Sequence, residues 1–211
     1  MEGETEQSIV QSILSGATSI EVINLKGKMS SSKKIFDIRD FLKRDMEDNI
    51  FSVVIVDNDR EDVKRTLKQS CKNNEFFGQI FYSDPDFEFE NFTKVELEQI
   101  ISNYAGKEGA LDTEIDSFKQ LLKSIDNAKA LEKLVRDSFK VLNTFGKGED
   151  WGKHLAKYVN ENPNKINSNE PRKITKAIDF INKVLSEELT YIYATQHFRV
   201  SETGEFINLY Q

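Results

Sequence analysis

Two aspartates, Asp57 and Asp59, directly follow the apolar run 51–56 of the sequence. A short apolar run rich in β-branched residues is typical of a strand buried on both faces, as in a parallel α/β sheet. Both carboxylates would then lie at the carboxyl end of the strand, where open α/β sheets place their sites. Neighbouring carboxylates repel each other unless a cation lies between them, and Mg²⁺ is the first candidate. The alternative is a solvated Asp-Asn-Asp turn that closes the strand, and this stretch alone leaves both open.

Two other acidic stretches lie next to predicted elements. Glu2 and Glu6 precede an apolar pattern with helical spacing, and the stretch 84–90 follows the predicted strand 79–82. The second of these is again at the carboxyl end of a strand. If all these acids met at one edge of a sheet, they could not remain ionised side by side without cations. The alternative for 84–90 is a loop of solvated acids that leads into a helix beginning near Thr93.

The elements that must position these acids alternate between strand and helix in the first half of the chain. Predicted strands at 19–25, 51–56 and 79–82 are separated by predicted helices, and short connections between such units specify a parallel sheet. From Val95 onward the apolar spacing is helical. The helical segments are expected near 94–104, 113–125, 128–142, 150–160 and 171–188. Residues 191–193 and the last residues alternate weakly, and 201–205 could close a hairpin.

The acidic motifs taken together resemble the TOPRIM domain, the metal-binding α/β module of topoisomerases, primases and several nucleases. In that family a Glu-Gly pair is followed by an Asp-x-Asp at the end of a later strand, as in Glu2-Gly3 and Asp57-Asn58-Asp59 here. The fuller run Glu-Gly-x-x-Glu looks most like the OLD (overcoming lysogenization defect) family of ATP-dependent endonucleases and related phage-defence proteins. Residues 21–28 are similar to the second strand and Gly-Lys turn of that subgroup.

The resemblance implies a fold and a domain organisation. Residues 1–105 are expected to form a TOPRIM-type, Rossmann-like parallel sheet flanked by helices, which is an α/β fold. Beyond the reach of the resemblance, the apolar spacing indicates that residues 106–211 form a mainly helical C-terminal region, in which 201–205 could close a terminal hairpin. In the family an apolar strand precedes the Glu-Gly pair, whereas only Met1 precedes it here. The first strand of the sheet is therefore expected to be missing from this chain.

The resemblance also implies a metal site with Mg²⁺ or Mn²⁺ as cofactor. Two ions roughly 3.5–4 Å apart would stabilise the attacking and leaving oxygens of a phosphodiester displacement. Glu88 corresponds to the place where OLD-type nucleases supply a further carboxylate, and Glu2 is also a candidate general acid or base. The implied ligands are Glu2, Glu6, Asp57, Asp59 and Glu88, and Asp57 is also counted as catalytic.

A weaker match lies in the C-terminal half, at 146–156. OLD-type nucleases carry a lysine in a Lys-x-x-Ala setting that supports charge at the scissile phosphate, and Lys153 with Ala156 matches that setting. Lys153 is therefore a third catalytic candidate beside Glu2 and Asp57, and Trp151 could anchor its helix. The alternative is a solvated lysine on an amphipathic helix. Gly146-Lys147-Gly148 is not a phosphate-binding loop of the Walker type, because the surrounding pattern is absent.

Composition and charge fit a soluble, cytoplasmic protein. The hydrophobic fraction is 38% and the charged fraction is 31%, and no apolar run approaches the roughly 18–20 residues of a membrane helix. The single cysteine, Cys71, suits a reducing cytosol. The net charge of −7 divides into −10 for residues 1–118, +6 for 119–183 and −3 for 184–211. A basic helical part is compatible with a nucleic-acid partner, although its lysines could equally serve to solvate the helices.

The sequence thus supports one enzymatic and one non-enzymatic interpretation. The first is a Mg²⁺-dependent endonuclease that hydrolyses phosphodiester bonds in the manner of an OLD-like defence nuclease. DNA is favoured over RNA as its substrate. The chain contains no ATPase motif, so ATP-driven regulation would require a separate ATPase domain or subunit. The alternative is a non-catalytic TOPRIM-like module that binds nucleic acid or a partner protein. The sequence leaves open whether the protein forms a homo-oligomer, and no membrane partner is expected.

Overall fold

The computed structural model describes residues 3–23, 32–58, 60–146, 148–168 and 170–210. The helices are α1 (Glu4–Ile13), α2 (Ser32–Glu47), α3 (Glu61–Lys72), α4 (Phe87–Asn91), α5 (Lys94–Lys107), α6 (Asp112–Leu122), α7 (Ala128–Ser138), α8 (Glu149–Glu161), α9 (Lys173–Leu185) and α10 (Tyr191–His197), with a 3₁₀ turn at Lys140–Leu142. The strands are β1 (Ser52–Asp57), β2 (Gly78–Ser83), β3 (Phe198–Val200) and β4 (Phe206–Asn208). The described chain is therefore mainly helical, with two small sheets.

The first sheet is a parallel pair of β1 and β2, connected by α3. Successive side chains of a strand point to opposite faces of the sheet. Val54 and Val56 accordingly pack with Leu67 of α3 on one face, whereas Ile55 belongs to the core on the other face. Burial on both faces explains the continuous apolar run of β1. The predicted α/β fold with a parallel strand at 51–56, flanked by helices, is confirmed at this level.

The main hydrophobic core extends along most of the chain. It includes Ile9 of α1, Ile55 of β1, Leu97 of α5, Leu155 of α8 and Ile174 of α9, all at most 4% exposed. These residues come from both sides of the expected boundary at residue 105. The division into 1–105 and 106–211 remains a prediction, while the helical character after Val95 is confirmed by α5 to α9.

The C-terminal hairpin is also confirmed. Strands β3 and β4 pair antiparallel, and the Ser201 N–H donates to the Glu205 carbonyl at 2.8 Å. Gly204 adopts φ +83°, a conformation that suits glycine, and an added Cβ would lie 2.4 Å from Ile80. The Ile80 N–H donates to the Gly204 carbonyl at 2.9 Å. The hairpin thus packs against β2 of the parallel sheet.

Two local predictions are wrong. Residues 19–23 form a turn and irregular chain instead of the beginning of the strand expected at 19–25, and residues 24 and 25 lie outside the described residues. A strand needs a ladder partner, and no described strand pairs with 19–23. Residues 191–193 begin α10 instead of alternating, because the Thr190 hydroxyl accepts a hydrogen bond from the Tyr193 N–H and caps that helix.

Among the described helices, none combines the length and the apolar character that crossing a membrane requires.

Candidate metal centre

Asp57 lies at the carboxyl end of β1, as the sequence predicted. Its Cα is in register with that of Ser83, the last residue of β2, and the Asn58 N–H donates to the Ser83 carbonyl at 2.7 Å. The two strands therefore end side by side. The chain that leaves β2 turns directly into the acidic stretch 84–90, which places that stretch at the same edge of the sheet as Asp57.

Glu88 is buried on α4, with 1% of its surface exposed. Its neighbour Phe87 is equally buried in the main core, so this short helix is held by its apolar residues. The indole Nε1–H of Trp151, on α8, donates to Glu88 Oε1 at 3.3 Å. The Glu88 carboxylate therefore faces the interior of the protein and does not decorate a solvated loop.

The acids on either side of Glu88 have structural contacts. Asp86 caps α4 by accepting from the Phe89 N–H at 3.1 Å, and its other oxygen accepts from the Ala128 N–H at the start of α7 at 2.5 Å. Glu90 lies 3.3 Å from Lys173 Nζ. Asp86 and Glu90 thus both take part in contacts that hold this part of the fold together.

Glu6 is the second buried glutamate, with 5% exposure on α1. Gly3 precedes this helix, and a Cβ added there would lie 2.4 Å from Glu6 Oε2. An alanine at position 3 would therefore move the Glu6 carboxylate, the far end of a flexible side chain, from its observed position. This contact gives a physical reason for the glycine of the Glu-Gly pair that is independent of any family resemblance.

Helix α8 contacts both α1, which carries Glu6, and the side chain of Glu88. Its Gly152 packs against α1, because an added Cβ would lie 2.5 Å from Ser8 Cβ and 2.7 Å from the Thr5 carbonyl. The preceding residue, Trp151, contacts Glu88. The first turn of α8 therefore positions α1 and α4 together.

The structure describes only three of the five predicted metal ligands. Glu6, Asp57 and Glu88 are described, whereas Glu2 and Asp59 lie outside the described residues. Across the residues that the structure describes, no three His, Cys, Asp or Glu side chains are grouped closely enough to hold a metal ion. The described acids supply carboxylate oxygens, which are the ligands that Mg²⁺ and Mn²⁺ prefer, so their donor chemistry fits the expected ion.

Lys153 does not point towards Glu88. Its Nζ lies 2.6 Å from Glu149 and 3.7 Å from Asp150, and 54% of its side chain is exposed. Two residues along an α-helix turn the side chain by about 200°. Lys153 therefore points away from the direction in which Trp151 reaches Glu88. The geometry at this position matches the alternative of a solvated lysine on an amphipathic helix.

Two other lysines lie at the carboxyl end of the sheet, and the sequence analysis missed both. Lys173 Nζ donates to the Tyr82 carbonyl at 2.6 Å, and Lys64 Nζ donates to the Asn58 carbonyl at 3.3 Å. Lys64 could have been found from its position in the first turns of the helix after Asp57-Asn58-Asp59. The sequence could not have identified Lys173 as a neighbour of β2, because its approach to β2 depends on how α9 packs.

The position of α9 is fixed by a buried ion pair directly before Lys173. Arg172 and Glu96 have fully buried side chains, and Arg172 Nη2 donates to Glu96 Oε1 at 2.5 Å. The guanidinium also bonds the carbonyl oxygens of Asn91, Asn162 and Asn164. Burial alone would raise the pKa of Glu96, but the hydrogen bonds from Arg172 and from backbone N–H groups outweigh it, and the pKa is lowered.

Comparison with protein-family models, with curated proteins and with solved structures finds no match to this chain. The functional assignment therefore rests on the sequence motifs and on the geometry described above.

Proposed function

We propose that this protein is a metal-dependent nuclease of the TOPRIM type, related to the OLD-like defence nucleases, and that it hydrolyses phosphodiester bonds. We favour DNA over RNA as its substrate. The observation that supports this most is the burial of two acidic side chains, Glu6 and Glu88, on helices that pack against the same turn of α8. Asp57 adds a third carboxylate at the carboxyl end of a parallel strand, the usual place for a site in such sheets.

The burial of these carboxylates supports a functional role for them. Removing an ionised carboxylate from water is unfavourable unless a cation or strong donors compensate, so acids are seldom buried without a function or a partner. As placed, Glu6, Asp57 and Glu88 are not grouped closely enough to hold a metal ion by themselves, so a compensating divalent cation would require further ligands. In this proposal Glu2 and Asp59, which the sequence places next to described candidates, complete the ligand set. Bound there, two Mg²⁺ or Mn²⁺ ions would activate the attacking water and stabilise the leaving oxygen.

The surrounding residues suit a phosphodiester substrate. Lys64 and Lys173 place ammonium groups at the carboxyl end of the sheet, beside Glu61 at 2.8 Å and Glu90 at 3.3 Å respectively, and from there they could neutralise the charge of a phosphate. Residues 119–183, with 14 basic and 8 acidic side chains, could contact the rest of the nucleic acid. An ATPase domain or subunit is part of the same proposal, by analogy with the OLD family.

One observation favours the alternative, a non-catalytic module that binds nucleic acid or a protein. Lys153, the proposed catalytic lysine, forms ion pairs at the surface with residues of its own helix. A module without catalysis would have no need of a lysine at the scissile phosphate. Lys173 or Lys64 could replace Lys153 in an active enzyme, so activity measurements distinguish the two candidates.

The test is a cleavage assay on supercoiled plasmid, linear duplex and single-stranded RNA, with Mg²⁺, Mn²⁺ or a chelator. We expect nicking or cleavage that depends on the metal, stops with the chelator and returns when metal is restored. Binding without cleavage under all these conditions would support the module and contradict the nuclease.

A further inference from the structure

Trp151 is the single tryptophan of the chain, and its side chain is almost fully buried. Its ring packs edge-on against Phe145, with the ring centres 5.4 Å apart. Its indole Nε1–H donates to Glu88 Oε1 at 3.3 Å. A buried indole usually finds a hydrogen-bond acceptor. The acceptor here is a carboxylate that the sequence predicts to be a metal ligand.

The backbone around Trp151 is held by α1. The Ser8 hydroxyl donates to the Glu149 carbonyl at the start of α8, at 2.8 Å. Gly152, the residue after Trp151, approaches α1 so closely that an added Cβ would lie 2.7 Å from the Thr5 carbonyl. Both contacts lie in the first turn of α8. The backbone that carries the indole is therefore fixed against α1.

The hydrophobic cluster that contains Trp151 covers one face of the parallel sheet. Ile55 of β1 and Phe87 of α4 belong to the same cluster. Residues two positions apart in a strand share a face of the sheet, so Asp57 lies on the face of Ile55. Glu88 directly follows Phe87. The indole thus lies in the part of the core that borders both Asp57 and Glu88.

A hydrogen bond to one oxygen restricts how a carboxylate can rotate. Because Glu88 Oε1 accepts from a rigid ring, the direction of the second carboxylate oxygen is restricted as well. Donors that hold a ligating side chain in this way contribute to metal affinity, since the ligand does not have to be ordered when the ion binds.

We propose that Trp151 is a positioning residue of the metal centre, which holds the Glu88 carboxylate in the orientation that binds Mg²⁺ or Mn²⁺. This inference rests on the proposed function, in which Glu88 is a metal ligand. The alternative is that Trp151 only fills the core, so that its ring matters and its N–H does not. Metal affinity distinguishes the two roles when the N–H is removed and the ring is kept.

The test measures the Kd of Mn²⁺ by isothermal titration calorimetry in the wild type and in two proteins without the indole N–H. Trp151→Phe keeps an aromatic ring at this position. Replacing the single tryptophan with benzothienylalanine, in which sulfur takes the place of the indole N–H, also keeps the shape of the ring system. We expect each change to raise the Kd by about tenfold or more. The benzothienylalanine protein decides the question if Trp151→Phe does not fold.

Phe145→Leu is the control, since it loosens the packing around the ring but retains the indole N–H. We expect it to lower the free energy of unfolding, measured by urea denaturation, and to leave the Kd of Mn²⁺ unchanged. Tryptophan emission gives a second readout, because it reports Trp151 alone. Mg²⁺ should change this emission saturably in the wild type and in Phe145→Leu, but not in Glu88→Gln.

Two results would contradict the inference and leave the proposed metal centre standing. The first is an unchanged Kd in both proteins that lack the indole N–H, while Asp57→Asn abolishes metal binding. The second is an equal rise in Kd for Phe145→Leu, because packing alone would then account for the effect. If the wild type binds neither ion, both the inference and the proposed metal centre are wrong.

Discussion

Buried glutamates in this protein have two kinds of surroundings. Glu96 accepts from the guanidinium of Arg172 and from the backbone N–H of Thr93 and Ile166, which is a structural arrangement. Glu88 accepts from the indole of Trp151, and in the proposed function it is also a metal ligand. We therefore expect substitution of Glu96 to act through stability, and substitution of Glu88 to act through metal binding as well.

Glu96→Gln should destabilise the fold, because it leaves the Arg172 guanidinium buried without its counter-charge. We expect a loss of about 3 kcal/mol or more in the free energy of unfolding at neutral pH, measured by urea denaturation. The control is Glu98→Gln on the same helix. Since the folded pKa of Glu96 is lowered from 4.5, its stabilisation is complete above that pH and is lost as the pH falls through the folded pKa. The difference between wild type and Glu96→Gln should shrink below about pH 4.5, and a constant difference would contradict this account.

Divalent metal should raise the melting temperature through Asp57. Neutralising adjacent carboxylates favours the native state, so millimolar Mg²⁺ or Mn²⁺ should stabilise the wild type. Asp57→Asn should remove this shift, whereas Asp116→Asn, at an exposed site on α6, should retain it. Differential scanning fluorimetry with and without metal measures the effect. An equal shift in Asp57→Asn, or none in the wild type, would mean that Asp57 is not a ligand.

At the scale of elements, the close contact of α1 with α8 holds the buried glutamates in place. A methyl group at Gly152 would lie 2.5 Å from Ser8 Cβ. Gly152→Ala should therefore destabilise the protein by about 1–2 kcal/mol despite the better helix propensity of alanine. At Gly106, on α5, an added Cβ meets no atom within 4 Å. Gly106→Ala should instead stabilise by about 0.5–1 kcal/mol, as measured by urea denaturation. Equal effects at both glycines would show that the α1–α8 contact is not tight.

The elements were predictable where one local signal dominated. The β-branched run of β1 and the apolar spacing of α5 to α9 each identified the element correctly. Residues 19–23 carry a similar apolar signal, but a strand also needs a neighbouring strand, which a local pattern cannot supply. Periodicity likewise predicted the helix of Lys153 but could not show that Trp151, two positions earlier, faces Glu88.

At the scale of the whole molecule, the contacts around the candidate site join distant parts of the chain. Glu88 and Trp151 are 63 residues apart, and Glu96 and Arg172 are 76 apart. Such pairs depend on how the helices pack, so sequence motifs could name Glu88 as a candidate ligand but could not show that Trp151 contacts it. The parallel sheet was the exception, because its topology alone places the strand ends together.

The uneven charge of the molecule leads to a prediction about nucleic-acid binding. Residues 119–183 are basic while residues 1–118 are acidic, so contacts to phosphates should be few and sensitive to salt. We expect duplex DNA to bind at about 50 mM salt and to bind markedly more weakly at about 200 mM. Asp57→Asn should bind at least as well as the wild type, since it removes negative charge. Fluorescence anisotropy at matched salt measures both, and the absence of binding at low salt would contradict a nucleic-acid partner.

The most direct test of the central claim compares the cleavage rates of three proteins with the same plasmid and the same concentration of Mn²⁺ or Mg²⁺. These are the wild type, Asp57→Asn and the surface control Asp116→Asn. If Asp57 holds the catalytic metal, its loss should lower the rate by about a thousandfold or more, while the control cleaves like the wild type. Cleavage by Asp57→Asn within severalfold of the wild-type rate, or no metal-dependent cleavage by the wild type, would contradict the proposed nuclease.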